Sequence, residues 1–257
     1  MANPLVRKLQ AFAPLSEKDI EILESLPSSV RSVEANQDII REGDKPDDVH
    51  LILDGFACRY KILEDGQRGI VAYLLPGDFC DLHVAILNEM DHSIGALSRC
   101  TVADIPRRTI DEITEAYPKL TRALWWATLV DKAILREWLA NIGRRSAEGG
   151  IAHLLCELLI RLRTIGLVTG NSYALPITQG ELADTMGLSH VHVNRVLQKL
   201  RADGMIELER GVLTITDIAG MQQLGGFNAN YLHLGRKAEA GGDGKEDGRE
   251  RVRQRAG

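Results

Sequence analysis

The residues with the strongest chemical signature lie between Gln179 and Leu200, in the run QGELADTMGLSHVHVNRVLQKL. Two helical patterns meet there at Gly187. Helices that cross closely need a small residue at the crossing, and Ala183 supplies it. The turn between them takes a left-handed backbone, which glycine enters without steric cost. Leu182, Met186, Leu188, Val193 and Val196 fill the offsets at which such helices share a core, and Ser189 is a suitable N-cap for the second helix. This pattern predicts a helix-turn-helix unit whose second helix enters the major groove of double-stranded DNA. On its exposed side Arg195 can donate two hydrogen bonds to guanine O6 and N7. Asn194 can pair with adenine or hold a phosphate, Val191 can touch a thymine methyl, and His190 lies beside them. Ser189, His192, Lys199 and Arg201 are placed for phosphates or solvent, as are Thr178 and Gln179 at the start of the first helix. Met205–Glu209 and Val212–Thr216 read as two strands around Arg210-Gly211. They predict a winged helix-turn-helix with Arg210 as the wing contact. The competing reading is a helical hairpin with no nucleic-acid role.

The rest of the chain must position that unit. Residues 1–28 read as a helical segment interrupted near Pro14. Over residues 29–110 short β-branched runs appear: Val49–Leu53, Phe56–Ile62, Gly69–Leu75 and Thr101–Ile105. Turns separate them at Glu42-Gly43-Asp44, Asp54-Gly55, Glu64-Asp65-Gly66 and Pro76-Gly77-Asp78, a spacing that predicts a small antiparallel β-roll. Residues 111–145 lose the turn residues and include a long helix from Pro118, well suited to a first helical position. Leu120, Leu124, Ala127, Ile134 and Trp138 follow its 3/4 spacing, with Asp131 as the polar interruption, and Trp126, Leu129, Val130, Ala133 and Leu139 widen the stripe. A helix apolar over so much of its girth calls for two neighbours, its own β-roll and a second subunit. Residues 146–150 read as a hinge, 151–225 as the DNA-binding domain, and 226–257 as a largely disordered tail. The fold class is therefore α+β.

The 257 residues carry a net charge of −5, which on its face argues against nucleic acid. The acidity sits in residues 1–110, with 12 basic against 18 acidic groups, whereas 189–204 is locally +2. Aromatic residues are only 5%, which disfavours stacking on single strands. No apolar run is long enough to span a bilayer and no signal peptide is apparent, so the expectation is a cytoplasmic protein without a membrane partner. Cys58, Cys80, Cys100 and Cys156 are scattered and read as reduced thiols. No GxxxxGK[ST], GxSxG or HExxH motif is present, so no enzymatic chemistry is expected. A cupin-type metal enzyme is disfavoured because His50, His83 and His92 show no HxH spacing and no obvious carboxylate partner.

The chain resembles the Crp/Fnr family of bacterial transcription regulators. The resemblance rests on the Glu42–Asp44 turn, Leu51-Ile52-Leu53-Asp54-Gly55, the PGDF turn at Pro76–Phe79, the long helix, and the winged unit ending in RGVLTI. It implies a cyclic-nucleotide-binding-like jelly roll, a dimerisation helix and a C-terminal winged helix-turn-helix. It also implies a homodimer on a palindromic operator, activation of transcription, and RNA polymerase as a further partner. The effector positions depart from the family. Where cyclic-AMP-binding members carry Gly-Glu and then Arg-Ser or Arg-Thr, this chain has Asp81-Leu82 and His92-Ser93. Leu82 cannot accept a ribose hydroxyl, and His92 lacks the guanidinium fork, so cyclic AMP is not expected. With no cysteine before Cys58, an iron–sulfur cluster is not expected either. Cys80 and His83 are the residues that resemblance to haem-sensing members would nominate as haem ligands. The expectation is no resident metal or cofactor, and an altered pocket for an unidentified small molecule or none. The Glu-x-x-Ser-Arg of many relatives is replaced by Val191, Asn194 and Arg195, so their operator does not transfer.

Overall fold

The computed structural model describes residues 3–234. In chain order the elements are α1 (Pro4–Gln10), α2 (Glu17–Glu24), β1 (Ser29–Val33), β2 (Asp38–Ile40), β3 (Asp48–Asp54), β4 (Ala57–Ile62), β5 (Arg68–Leu74), α3 (Val84–Leu87), β6 (Ser93–Ala96) and β7 (Cys100–Pro106). Then follow α4 (Arg107–Ala116), α5 (Pro118–Arg144), α6 (Ala147–Thr164), β8 (Ser172–Ala174), α7 (Gln179–Met186), α8 (His190–Ala202), β9 (Ile206–Glu209), β10 (Val212–Ile215) and α9 (Ile218–Gly225). The roll is built from two antiparallel sheets, β1-β7-β3 and β2-β6-β4-β5, which bury Val49, Leu51, Ile70, Ile94, Val102 and Ile105. Strands β1, β2 and β6 were not anticipated. Each is short, and the exposed pattern of β1 carries little alternation.

Helix α5 lays Leu120, Ala123, Leu124, Ala127, Val130, Ile134 and Trp138 into the core. Asp131, the polar break in that stripe, meets Arg59 of β4 at 3.3 Å. The expected hinge is much shorter than residues 146–150. Ser146 caps α6 by accepting from the Gly149 amide, so Gly149 and Gly150 already lie in its first turn. Their smallness serves packing. A Cβ on Gly150 would come within 2.4 Å of the Met186 methyl.

The expected tail also starts too early. Residues 226–234 close over α6: Tyr231 and Leu232 are buried, the Phe227 and Tyr231 rings pack on His153, and the Tyr231 hydroxyl donates to the buried Glu157 carboxylate at 2.9 Å. The disorder expected of residues 235–257 lies outside the described residues. Tyr231→Phe should destabilise the protein by about 1.5–3 kcal/mol in urea unfolding, the range for a hydrogen bond to a charged group. No loss would mean that this segment does not help to close the core.

A buried polar cluster joins the roll to the C-terminal domain. Asp78, in the PGDF turn, meets Lys8 of α1 and Arg161 of α6, and Arg161 also meets Glu157 at 3.1 Å. Helix α7 leans on β5: the Tyr73 hydroxyl and Thr185 share a hydrogen bond of 2.5 Å, and Arg68 meets Asp184 at 2.8 Å. These contacts bury one side of α7 and leave the outer face of α8 free.

Candidate nucleic-acid interface

The helix-turn-helix forms from local chemistry. Thr178 and Glu181 make a reciprocal capping box at the start of α7. Gly187 ends α7 with φ +63°, and the Leu188 amide reaches back to the Ala183 carbonyl at 3.1 Å. Ser189 then caps α8, its hydroxyl accepting from the His192 amide at 3.3 Å. Leu182, Ala183, Met186, Val193 and Val196 are buried between the helices, and Leu188 is half-buried.

On α8, His190, Val191, His192, Asn194, Arg195 and Lys199 are all exposed. At 100° per residue, Val191, Asn194 and Arg195 share one face, while His192 and Lys199 lie at its edge. Gln198 is exposed on the same face, four residues after Asn194, and sequence reasoning passed over it. Its 3/4 spacing was the available signal, and an amide is the group that pairs with adenine N6 and N7. Arg195 makes no hydrogen bond or ion pair among the described residues, so its guanidinium is uncommitted. Lys199 is committed: its ammonium sits 2.7 Å from Glu148 of α6, which narrows the local basic face. Thr178 likewise spends its hydroxyl on Glu181 at 2.8 Å, leaving Gln179 as the free exposed side chain at that helix start.

The wing is a three-stranded sheet, β8-β10-β9, with β8 the strand not anticipated. Arg210 and Gly211 form its tip with φ of +49° and +78°, the paired positive values of a two-residue hairpin turn. Arg210 is exposed there.

The effector region is arranged differently from the sequence reading. Asp81 is fully buried and points back into the roll, accepting from the His50 amide at 2.7 Å and facing His50 Nδ1 at 2.7 Å. Asp104 lies 3.6 Å from the other His50 nitrogen. Leu82 is half-buried against the core. The Ser93 hydroxyl accepts from the Glu42 amide at 3.0 Å. Of the four positions only His92 turns a polar ring toward other titratable groups. It lies with His83, ring centroids 5.5 Å apart, and its Nδ1 is 2.5 Å from the Asp91 carboxylate. The expectation that these histidines lack carboxylate partners is therefore corrected: His50 faces Asp81 and Asp104, and His83 and His92 face Asp91, the chain neighbour of His92. Burial holds the His83 and His92 imidazoles below their ordinary pKa, with the Arg59 charge acting in the same direction and Asp91 opposing it. Arg59, another residue that sequence reasoning passed over, donates to the Phe79 and Cys80 carbonyls and reaches Asp131 on α5. Cys80 is fully buried, and burial pushes its thiol well up, which leaves it a protonated and inert group. That environment does not fit a thiolate haem ligand.

Comparison with known proteins agrees with this geometry. A family model described as a cyclic nucleotide-binding domain matches residues 30–117, and one described as a Crp-like helix-turn-helix domain matches residues 151–224. The chain is 29% identical over 229 residues to the transcriptional activator protein FnrL of Cereibacter sphaeroides, covering 88% of this chain and 91% of that protein. It is 30% identical over 179 residues to a protein of Rhizobium leguminosarum bv. viciae named a probable transcriptional activator, covering 70% and 73%. Among solved structures, FixK2 from Bradyrhizobium japonicum matches with a TM-score of 0.68 at 23% identity, over 76% of this chain and 96% of that one.

Proposed function

The chain belongs to the Crp/Fnr family of DNA-binding transcription regulators, and from that premise we propose that it works as a homodimer on a palindromic operator and activates transcription. The observation that carries the dimer is on α5. Opposite its buried stripe, Trp125, Leu129, Leu135, Leu139 and Ile142 are between 44% and 69% exposed. Five large apolar side chains along one helix form a face that water does not favour, and a second copy of the same helix covers it with a self-complementary seam. Pairing through α5 brings two copies of α8 to one side of the assembly, for half-sites about 34 Å apart.

Within each half-site Arg195, Asn194, Val191 and Gln198 face base edges. Ser189, His190, His192, Gln179, Arg201 and Arg210 surround them for phosphates. The activating role follows the relatives named as transcriptional activators, and RNA polymerase is the corresponding partner. Such a regulator works in the cytoplasm, and among the described residues no helix is long and apolar enough to cross a membrane. The effector is not cyclic AMP, because Asp81 is spent on His50 and Leu82 offers no acceptor. Nothing in this reading calls for a catalytic residue.

Selection of DNA by the purified protein from a random pool tests the proposal. Enrichment of inverted half-sites, with affinity falling steeply as salt rises, is the expected result. A pool that shows no enrichment overturns it. The dimer has its own test. Leu139→Glu places a charge in the α5 seam, and light scattering should report a folded monomer that no longer shifts the operator. A dimer that persists unchanged in this variant and in Trp125→Glu argues that the seam lies elsewhere.

A further inference from the structure

We propose that His83, Asp91 and His92 form a binding site for a divalent first-row transition-metal ion, set between helix α3 and strand β6 of the roll. Each of the three residues offers one ligand atom, and these atoms all lie within 4.8 Å of one another. Ligands about 2.1 Å from a shared ion sit roughly 3.4 Å apart in a tetrahedral shell, so closure needs only small side-chain adjustments. Asp91 Oδ1 is already 2.5 Å from His92 Nδ1 and 3.8 Å from His83 Nε2.

A second observation points to a ligand. The Nε2 atom of His83 is buried and has no hydrogen-bond partner among the described residues. Buried polar atoms are normally satisfied, and the His83 nitrogen, 3.8 Å from Asp91 Oδ1, is placed to complete the ligand set. An ion bound by Asp91 and His92 Nδ1 would take the place of the proton those two groups share, and the Asp91 contact already fixes the His92 ring. Asp91 is itself 83% exposed, so an ion can enter from solvent and water can complete its shell. Two imidazoles and one carboxylate suit zinc, cobalt, nickel or ferrous iron and not magnesium or calcium, which prefer all-oxygen shells. The opposing feature is the Arg59 charge nearby, but that guanidinium is held by Asp131 and two carbonyls. The site needs neither the dimer nor the DNA reading, so either can fail without the other.

The test is titration of metal-free full-length protein with Zn2+ against a chromophoric chelator, with Co2+ as a spectroscopic probe. The expected result is one ion per chain, visible d–d bands with Co2+, and no competition from excess Mg2+. His92→Gln and Asp91→Asn should each weaken Zn2+ binding at least about tenfold, and His83→Asn with His92→Gln should remove it. Asp91→Asn alters an exposed side chain, so it keeps the test valid if a histidine variant fails to fold. No stoichiometric binding by the unaltered protein overturns the proposal, as does binding of undiminished affinity in Asp91→Asn and the double variant.

Discussion

Replacing Arg195 by alanine should leave a folded protein that still binds DNA but no longer prefers its operator. The fold is spared because Arg195 is exposed and makes no hydrogen bond or ion pair among the described residues. The preference is lost because a bidentate arginine–guanine pair contributes about 1–3 kcal/mol of discrimination, and a dimer makes the contact twice. Specific affinity should therefore fall by roughly tenfold or more per half-site, while binding to unrelated DNA falls only slightly and keeps its salt dependence. Arg195→Lys should recover phosphate attraction but not the preference, because an ammonium has no planar fork. Gel shifts of the selected operator and a scrambled duplex at two salt concentrations check this. An unchanged ratio between the two duplexes would remove Arg195 from the base-reading set. Lys199→Ala should alter the ratio far less, since that ammonium is already engaged by Glu148.

Asp78→Ala should destabilise the protein by about 3–5 kcal/mol, the cost of removing one partner from a buried ion pair. The carboxylate faces both Lys8 and Arg161 and also accepts from the Leu75 amide at 2.8 Å. Its loss leaves two largely buried cations and a buried donor without their acceptor. Burial alone would raise the Asp78 pKa, but Lys8 and Arg161 outweigh it and hold the group at about 2, below its ordinary 3.8. A carboxyl whose folded pKa is depressed stabilises the fold above its unfolded pKa. That contribution is present above about pH 4 and is lost as pH falls toward 2. Urea unfolding between pH 7 and pH 2 should show a declining midpoint for the unaltered protein and a flatter profile for Asp78→Asn. A variant as stable as the parent at pH 7 would mean that this cluster contributes no net stability. Because Asp78 belongs to the roll and Arg161 to the C-terminal domain, the same change should loosen the attachment between them.

Much of the DNA-reading unit was legible because its determinants are local. Gly187 and Ser189 act within about one helical turn and Ala183 on the very next helix, so their order along the chain is enough to place a crossing, a left-handed turn and a cap. Gln198 is equally legible by its spacing, four residues after Asn194 on the same face. Helix α5 declared itself by period, and Asp131 declared the place where something polar must meet it. What could not be read was the identity of that partner. Arg59 lies 72 residues away, on a strand whose register with its neighbours decides where its guanidinium points.

The same division explains the errors. Gly149 and Gly150 read as a hinge because glycine loosens an isolated chain, yet here they admit a neighbouring helix. Residues 226–234 read as tail because they lack a helical period, yet Tyr231 finds Glu157 at a distance of 74 residues. His83 and His92 were noticed singly, and their meeting with Asp91 depended on how the α3 segment returns to β6. The secondary elements with strong periods, the helix-turn-helix, and the absence of the cyclic-AMP residues can therefore be read along the chain, since each rests on near neighbours. Which charges are free for DNA, which are spent within the fold, and which imidazoles come together follow from three-dimensional packing. Those outcomes depend on strand register and helix crossing, and neither leaves a mark at short range along the chain.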